Sequence, residues 1–396
     1  MKVIIGSLAG KAVNQLRKAI LEAYQKQFYP LGYVPALDGL RGLITVTIVI
    51  SHVYYSKIPG VILYIDVLFA GSSYYITSML LRDLNRYGRI NYREFYRRRF
   101  ARILPPFLAM IGGYLLFRLL FVPPFSSALA HSAIALTYIS NYWFIADPAG
   151  IADLAHTWTL SVEEQFYILW PITFAFLARR FGVTWRLVFV ICIIAVSIWS
   201  WRAWLAFHEV PWQRVYAAFD TRADDLMAGS AMAVILQLLP PGKSAVLDRI
   251  LPALAWPLLL YWIFITVFFW HPDYPSSPFY YYGSFVCGAV PGIITITMLI
   301  RSTGTICHRI LERPEAVFLG HIFYGIYLWH FPIVWYLFEH NIARKYQVMI
   351  ALPLSILFGT LSYAYIDRYF MRLRSQREPA APGLQSKVAT NLKASS

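Results

Sequence analysis

Apolar stretches of membrane-crossing length recur along this chain from residue 39 to residue 369, separated mostly by short loops. No other feature constrains the fold as strongly. In hydrocarbon every backbone polar group must be satisfied internally, which leaves only helices or closed barrels. Stretches near 20 residues are of helix length, whereas a barrel strand needs about ten. The segments are 39–56, 61–81, 104–121, 164–179, 186–205, 224–239, 250–270, 283–300, 317–338 and 348–369, ten predicted spans in all. The segment 132–145 is also apolar, but it falls short of the roughly 20 residues a crossing needs. It is expected to form a re-entrant or interfacial helix. The chain is 14% charged, against about 25% in a soluble domain. The expected fold is therefore an all-α, polytopic integral membrane protein.

Charge sets the expected topology. The chain has 35 Lys and Arg against 20 Asp and Glu. With the N-terminus in the cytoplasm, most of the basic residues fall in loops on that side, among them all eight arginines from Arg82 to Arg102. If 132–145 crossed, every later loop would change sides and the bias would weaken. The positive-inside rule thus predicts both termini in the cytoplasm, in a bacterial inner membrane. The same clustering argues against a nucleic-acid partner, because the charge follows the loops between spans. Residues 1–37 are expected to be an interfacial segment, with Val13, Leu16, Ile20, Tyr24 and Phe28 on one helical face. Residues 38–372 form the predicted membrane domain. Residues 373–396, rich in Ala, Pro, Ser and Lys, are predicted to be a disordered cytoplasmic tail.

Ionisable residues within spans are costly and by default mark function. Arg41 and His52 are such a pair, separated by ten apolar or small residues. At about 100° per residue the step between them closes to within roughly 20° of whole turns, so both face one way, about 16 Å apart along the axis. His52 is the candidate general base. Glu163 and Glu164 open the fourth span. Ser161 with Glu164 has capping-box spacing, which leaves Glu163 free to face a cavity and to orient His52. The Arg82–Arg102 loop ends in Tyr96-Arg97-Arg98-Arg99-Phe100-Ala101-Arg102, suited to phosphate or to anionic lipid. Asp66 lies mid-span and requires a partner. Asp220-Thr221-Arg222-Ala223-Asp224-Asp225 enters another span. In Tyr327-Leu328-Trp329-His330-Phe331-Pro332 the proline predicts a kinked, cavity-lining helix. No Walker A, zinc-ligand cluster or nucleophile elbow is present, so no metal is expected.

Taken in order, the Arg41/His52 pair, residues 97–105, the segment 156–171 and Tyr327–Pro332 resemble the membrane acyltransferase 3 family, over roughly residues 33–370. That family includes O-antigen, peptidoglycan and Nod-factor O-acetylases and macrolide acyltransferases. The resemblance implies an acyl-CoA donor, acetyl-CoA above all, and a hydroxyl acceptor met at the outer side. It implies His52 as catalytic base, Glu163 as a residue needed for activity, and Arg41, Arg98, Arg99 and Arg102 as contacts to CoA. Asp66, Glu164, Arg222, Asp224, Tyr327, Trp329 and His330 complete the expected acceptor site. The chain departs from the family pattern at Ala70-Gly71-Ser72-Ser73-Tyr74-Tyr75-Ile76, where Ser-Gly-Phe-Leu-Ile is usual, and at Asp367, where a glutamate is usual. The expected function is O-acylation of a cell-envelope glycan or its lipid-linked precursor. The alternatives are acylation of a small lipophilic metabolite such as a macrolide, a proton-coupled transporter, and a non-catalytic scaffold. The residues do not fix the acyl chain, the acceptor or the oligomeric state.

Overall fold

The computed structural model describes residues 33–370, apart from 55–56, 123 and 270–278. The predicted interfacial helix before residue 33 and the predicted tail after residue 372 lie outside the described residues. Among the described residues the fold is helical throughout, with no strand. The first half runs through α1 (Pro35–Tyr54), α2 (Tyr64–Tyr87), α3 (Tyr92–Phe121), the short α4 (Phe125–Leu136) and α5 (Ser140–Ala146), and then α6 (Thr157–Phe181). Then follow α7 (Trp185–Phe207), α8 (Trp212–Ala217), α9 (Phe219–Leu238), α10 (Ala245–Ala253), α11 (Ala255–Phe268), α12 (Phe279–Ser284) and α13 (Val290–Arg301). The chain closes with α14 (Ile306–Leu311), α15 (Pro314–His321), α16 (Phe323–Glu339) and α17 (Arg344–Ser362).

Among the described residues six helices are long and apolar enough to cross a membrane, or eight if the bent pairs α10–α11 (46°) and α15–α16 (71°) each count as one span. The other two predicted segments form α6 and α9, of 25 and 20 residues. These two carry the charges: Glu163, Glu164, Arg179 and Arg180 on α6, and Asp220, Arg222, Asp224 and Asp225 on α9. These charged side chains are what lowers the apolarity of both helices.

Small residues let the helices approach closely. A Cβ on Gly42 of α1 would meet the backbone nitrogen of Gly320 at 2.5 Å. One on Gly229 of α9 would meet the Ala70 carbonyl of α2 at 2.0 Å. Between apolar helices in lipid the driving force is packing itself, and a glycine at the crossing maximises it. These two contacts hold α1 against α15 and α2 against α9.

Three sequence expectations meet the structure here. The segment 132–145 is not one helix: Tyr138 takes a left-handed backbone (φ 55°) between α4 and α5. At about 1.5 Å per residue neither piece covers the roughly 30 Å of a bilayer core. Instead α5 docks on α6, where the Ser140 N–H donates to Ser161 Oγ (3.1 Å) and Gln165 Nε2 donates to Asn141 Oδ1 (3.0 Å). The capping box is corrected. The fourth span starts at Thr157, so Ser161 lies one turn inside the helix and its hydroxyl donates to the Thr157 carbonyl. The kink expected at Pro332 is corrected as well. The 71° bend falls at Ile322, and Pro332 sits within α16.

Candidate active site

A cavity of about 320 Å³ opens between α1, α2, α3, α6 and α16. Each wall is a helical stripe. Arg41, Thr45, Ile48 and His52 of α1 line it, at the i, i+4, i+7, i+11 spacing of one helix face. Ser72, Tyr75 and Met79 do the same on α2, and Glu163 and Tyr167 on α6. The α3 wall supplies Arg98, Arg99 and Arg102, and the α16 wall supplies Tyr324, Tyr327 and His330.

The cavity is cationic towards Arg41, and each arginine there is held in place. Arg41 lies 3.7 Å from Asp38 and 4.0 Å over the Tyr75 ring. Asp38 also faces His321 at 3.6 Å. Arg98 lies 3.7 Å from Asp83 and 3.4 Å from Glu94. Arg99 stacks 3.8 Å over the Tyr167 ring. Arg102 interacts with Asp367, the residue that stands in place of the usual glutamate. Guanidinium groups fixed by carboxylates and aromatic faces keep donors available for an anion in the cavity. The Glu163 carboxylate belongs to this end, with Ser72, Tyr167, Arg99 and Arg41 around it.

The other end is built of imidazoles. His52 is exposed and lines the cavity. Its ring centre lies 5.2 Å from that of His330 and 5.0 Å from Phe331. His156 lies 5.4 Å from His330 and stacks on Phe331 at 5.2 Å. Tyr327 braces this corner: its hydroxyl donates to the His156 carbonyl (2.8 Å) and pairs with Thr159 Oγ1 (2.9 Å). Among the described contacts, rings rather than a carboxylate stand against His52.

Behind His156, the turn 149–154 carries Asp153, which lies outside the spans. Its carboxylate accepts hydrogen bonds from Tyr114 of α3 and His131 of α4, and Arg118 lies 3.4 Å away. Burial raises this carboxyl, but the hydrogen bonds from His131 and Tyr114 and the nearby Arg118 guanidinium outweigh it and hold the group below its ordinary value. The cluster ties α4 and the turn leading to His156 onto α3.

The structure therefore brings together His52, Glu163, Arg41, Arg98, Arg99, Arg102, Tyr327 and His330 on one cavity. It places five other sequence candidates elsewhere. Asp66, Arg222 and Asp224 do not line the cavity. With Arg202 of α7 and Asp225 they form a buried ion cluster that joins α2, α7 and α9. Arg222 binds Asp66 and lies 3.4 Å from Asp225, while Arg202 lies 2.6 Å from Asp224. Glu164 is buried beside its neighbour's carboxylate, towards Arg99 and Tyr138. Trp329 points to the other side of α16, stacked on Phe358 (4.7 Å) and pressed against Gly113. Sequence reasoning gave no role to Tyr75, Tyr167, Thr45 or His156. Helical spacing from Arg41 marks Thr45 and that from Glu163 marks Tyr167, whereas Tyr75 stands on α2, where neither residue's spacing reaches. The approach of His156 to His330 has no sequence signal.

The sequence profile of a family described as an acyltransferase domain matches residues 34–366. Among curated proteins the chain is similar to O-acetyltransferase OatA of Staphylococcus aureus (strain NCTC 8325 / PS 47), 28% identical over 359 residues, 86% of this chain and 58% of that protein. It is 29% identical over 358 residues to peptidoglycan O-acetyltransferase OatA of Listeria monocytogenes, 86% of this chain and 56% of that protein. A putative O-acetyltransferase of S. aureus (strain COL) matches at 28% over 363 residues, 87% of this chain and 58% of that protein. The chain thus spans little more than half the length of these relatives. No solved structure matches it.

Proposed function

The chain belongs to the acyltransferase domain family and is a multi-pass membrane protein, and on that premise we propose that it is an O-acetyltransferase acting on a cell-envelope glycan. The observation that carries the proposal is the polarity of the one cavity: four arginines towards Arg41 and a histidine cluster around His52. Acyl-CoA is a fitting donor, because its phosphates suit forked guanidinium groups and its thioester is an acyl group at the end of a long arm. The arm would run the roughly 16 Å that helix rise sets between Arg41 and His52.

All ten predicted segments cross in this proposal, both termini lie in the cytoplasm, and the Arg41 end faces the cytosol. The glycan hydroxyl then reaches His52 from outside. His52 takes the hydroxyl proton as the oxygen attacks the thioester carbonyl, and returns it to sulfur as the carbon–sulfur bond breaks. Glu163, held among Arg41, Arg99, Ser72 and Tyr167, sets the orientation of the donor-binding arginines. The name of the Listeria relative, a peptidoglycan O-acetyltransferase, favours peptidoglycan or a related glycan as acceptor over a small metabolite.

The test uses purified protein in lipid with acetyl-CoA and a glycan acceptor. His52→Ala should lower acyl transfer by about 10²–10⁴, the usual worth of general acid–base catalysis. Transfer near the wild-type rate by a well-folded variant rejects the proposal. Mass spectrometry of envelope glycans from cells with and without the gene identifies the acceptor by the gain of one acyl unit.

A further inference from the structure

His330 is buried, 1% exposed, yet its ring is only half satisfied. Nδ1 lies 2.6 Å from the Tyr327 carbonyl. A carbonyl oxygen only accepts, so Nδ1 carries the hydrogen. In the neutral ring this fixes Nε2 as a bare lone pair. That nitrogen is buried and has no hydrogen-bond partner. An orphaned buried polar atom costs about 1–3 kcal/mol, and native structures rarely leave one without a reason.

The neighbour that can answer it is His52. An imidazole nitrogen sits about 1.1 Å from its ring centre, so centres 5.2 Å apart bring facing nitrogens to about 3 Å, which is hydrogen-bond range. The His52 ring lines the open cavity, and such bonds are often unformed until substrate binds. His156 is less well placed for this role, because Phe331 stacks on it and also stands at the edge of His52.

We infer that His330 is the positioning partner of His52: its Nε2 accepts the second ring N–H of His52, so that the other nitrogen of His52 presents its lone pair to the cavity. This rests on the reading of His52 as the base. As the acceptor oxygen bonds to the acyl carbon, its proton passes to the cavity-facing nitrogen of His52. The resulting imidazolium keeps its other N–H on His330 Nε2, which stabilises the charge. When the carbon–sulfur bond breaks, the sulfur takes the same proton, and the His52 ring returns to neutral. In hydrolytic triads a carboxylate fills this post. Here the Tyr327 carbonyl, by fixing the tautomer of His330, lets an imidazole fill it.

The experiment compares His330→Gln, His330→Asn and His330→Ala with His52→Ala in the lipid-reconstituted protein, using acetyl-CoA and a glycan acceptor. Glutamine places an amide oxygen near the Nε2 position and can still accept from His52. Asparagine reaches only the Nδ1 position. The alanine and asparagine variants should lose about 10²-fold or more in kcat, within the range that loss of an orienting partner costs a triad. KM for both substrates should stay unchanged, and glutamine should recover most of the rate. Glutamine no better than asparagine, a loss confined to KM, or a near wild-type kcat in His330→Ala overturns the inference. If the alanine variant fails to fold, the glutamine–asparagine comparison decides alone. An active His52→Ala would instead overturn the parent reading, so the two failures are distinguishable.

Discussion

The ring of His52 lies 5.2 Å from the ring of His330, centre to centre, although 278 positions separate them in the chain. An imidazole on the first span and one on a late span thus share a corner of one cavity. Arg41 lines the same cavity from the same helix as His52. In the proposed reaction donor-binding charge and proton chemistry are separated along α1, so each part has its own expected outcome.

Removing a donor-side cation should affect acyl-CoA binding alone. Arg41→Gln or Arg99→Gln should raise KM for acetyl-CoA about tenfold or more, since a charge-assisted hydrogen bond is worth about 1.5–3 kcal/mol. Steady-state kinetics with acetyl-pantetheine, which lacks the nucleotide phosphates, provides the control. There the variants should match wild type, and an equal loss with both donors would refute phosphate contact.

The ion cluster of Asp66, Arg202, Arg222, Asp224 and Asp225 should behave as structure. Arg222→Met leaves Asp66 without its guanidinium and should cost on the order of 3–5 kcal/mol, the penalty of breaking a buried pair. Asp66→Leu combined with Arg222→Met should be less destabilised than the sum of the single changes. Thermal unfolding in detergent measures both. Acyl transfer per folded molecule should remain close to wild type, and its collapse in fully folded protein would return these residues to the site.

Close approach of α2 and α9 makes Gly229 intolerant of side chains. A Cβ there meets Ala70 O at 2.0 Å and Ser73 Oγ at 2.2 Å. Gly229→Ala should destabilise the protein by about 1–3 kcal/mol through overpacking, seen as a lower melting temperature. An unchanged melting temperature would show that the helices can separate freely.

Asp153 should confer a pH-dependent contribution to stability. Its folded value lies below its ordinary one, so the ionised carboxylate stabilises the fold above the unfolded value of about 3.9. That stabilisation is lost as pH falls through the lower folded value. Asp153→Asn should therefore melt well below wild type at neutral pH, and the gap should close in acid, below about pH 4. A gap that is constant with pH would mean that shape, not charge, holds the turn.

Much of the site was legible because helices translate spacing into direction. Arg41 and His52 fall on one face by arithmetic, and the cavity wall follows that stripe through Thr45 and Ile48. The arginines from Arg82 to Arg102 declared themselves by density, although the expected loop is corrected: Arg98, Arg99 and Arg102 stand on the first turns of α3. Charge alone was a poorer guide to which polar residues face the cavity. Asp66, Arg222 and Asp224 look like site residues in sequence, since any carboxylate in a span needs an explanation. Their explanation is mutual neutralisation across α2, α7 and α9. Trp329 and His330 are adjacent in sequence but point to different sides of α16, and only His330 reaches the cavity.

The sequence by itself determined that this chain is helical and membrane-embedded, and which face of the first span lines the cavity. Hydrocarbon tolerates no unsatisfied backbone, and helical periodicity is a local property. Tertiary structure alone decided which helices surround that face. It put histidines rather than a carboxylate beside His52, held Glu163 among arginines, and turned three charged candidates into a packed ion cluster. Those outcomes depend on close contacts between helices distant in sequence, set by glycines such as Gly42 and Gly229, and no local pattern encodes which partner such a contact will meet.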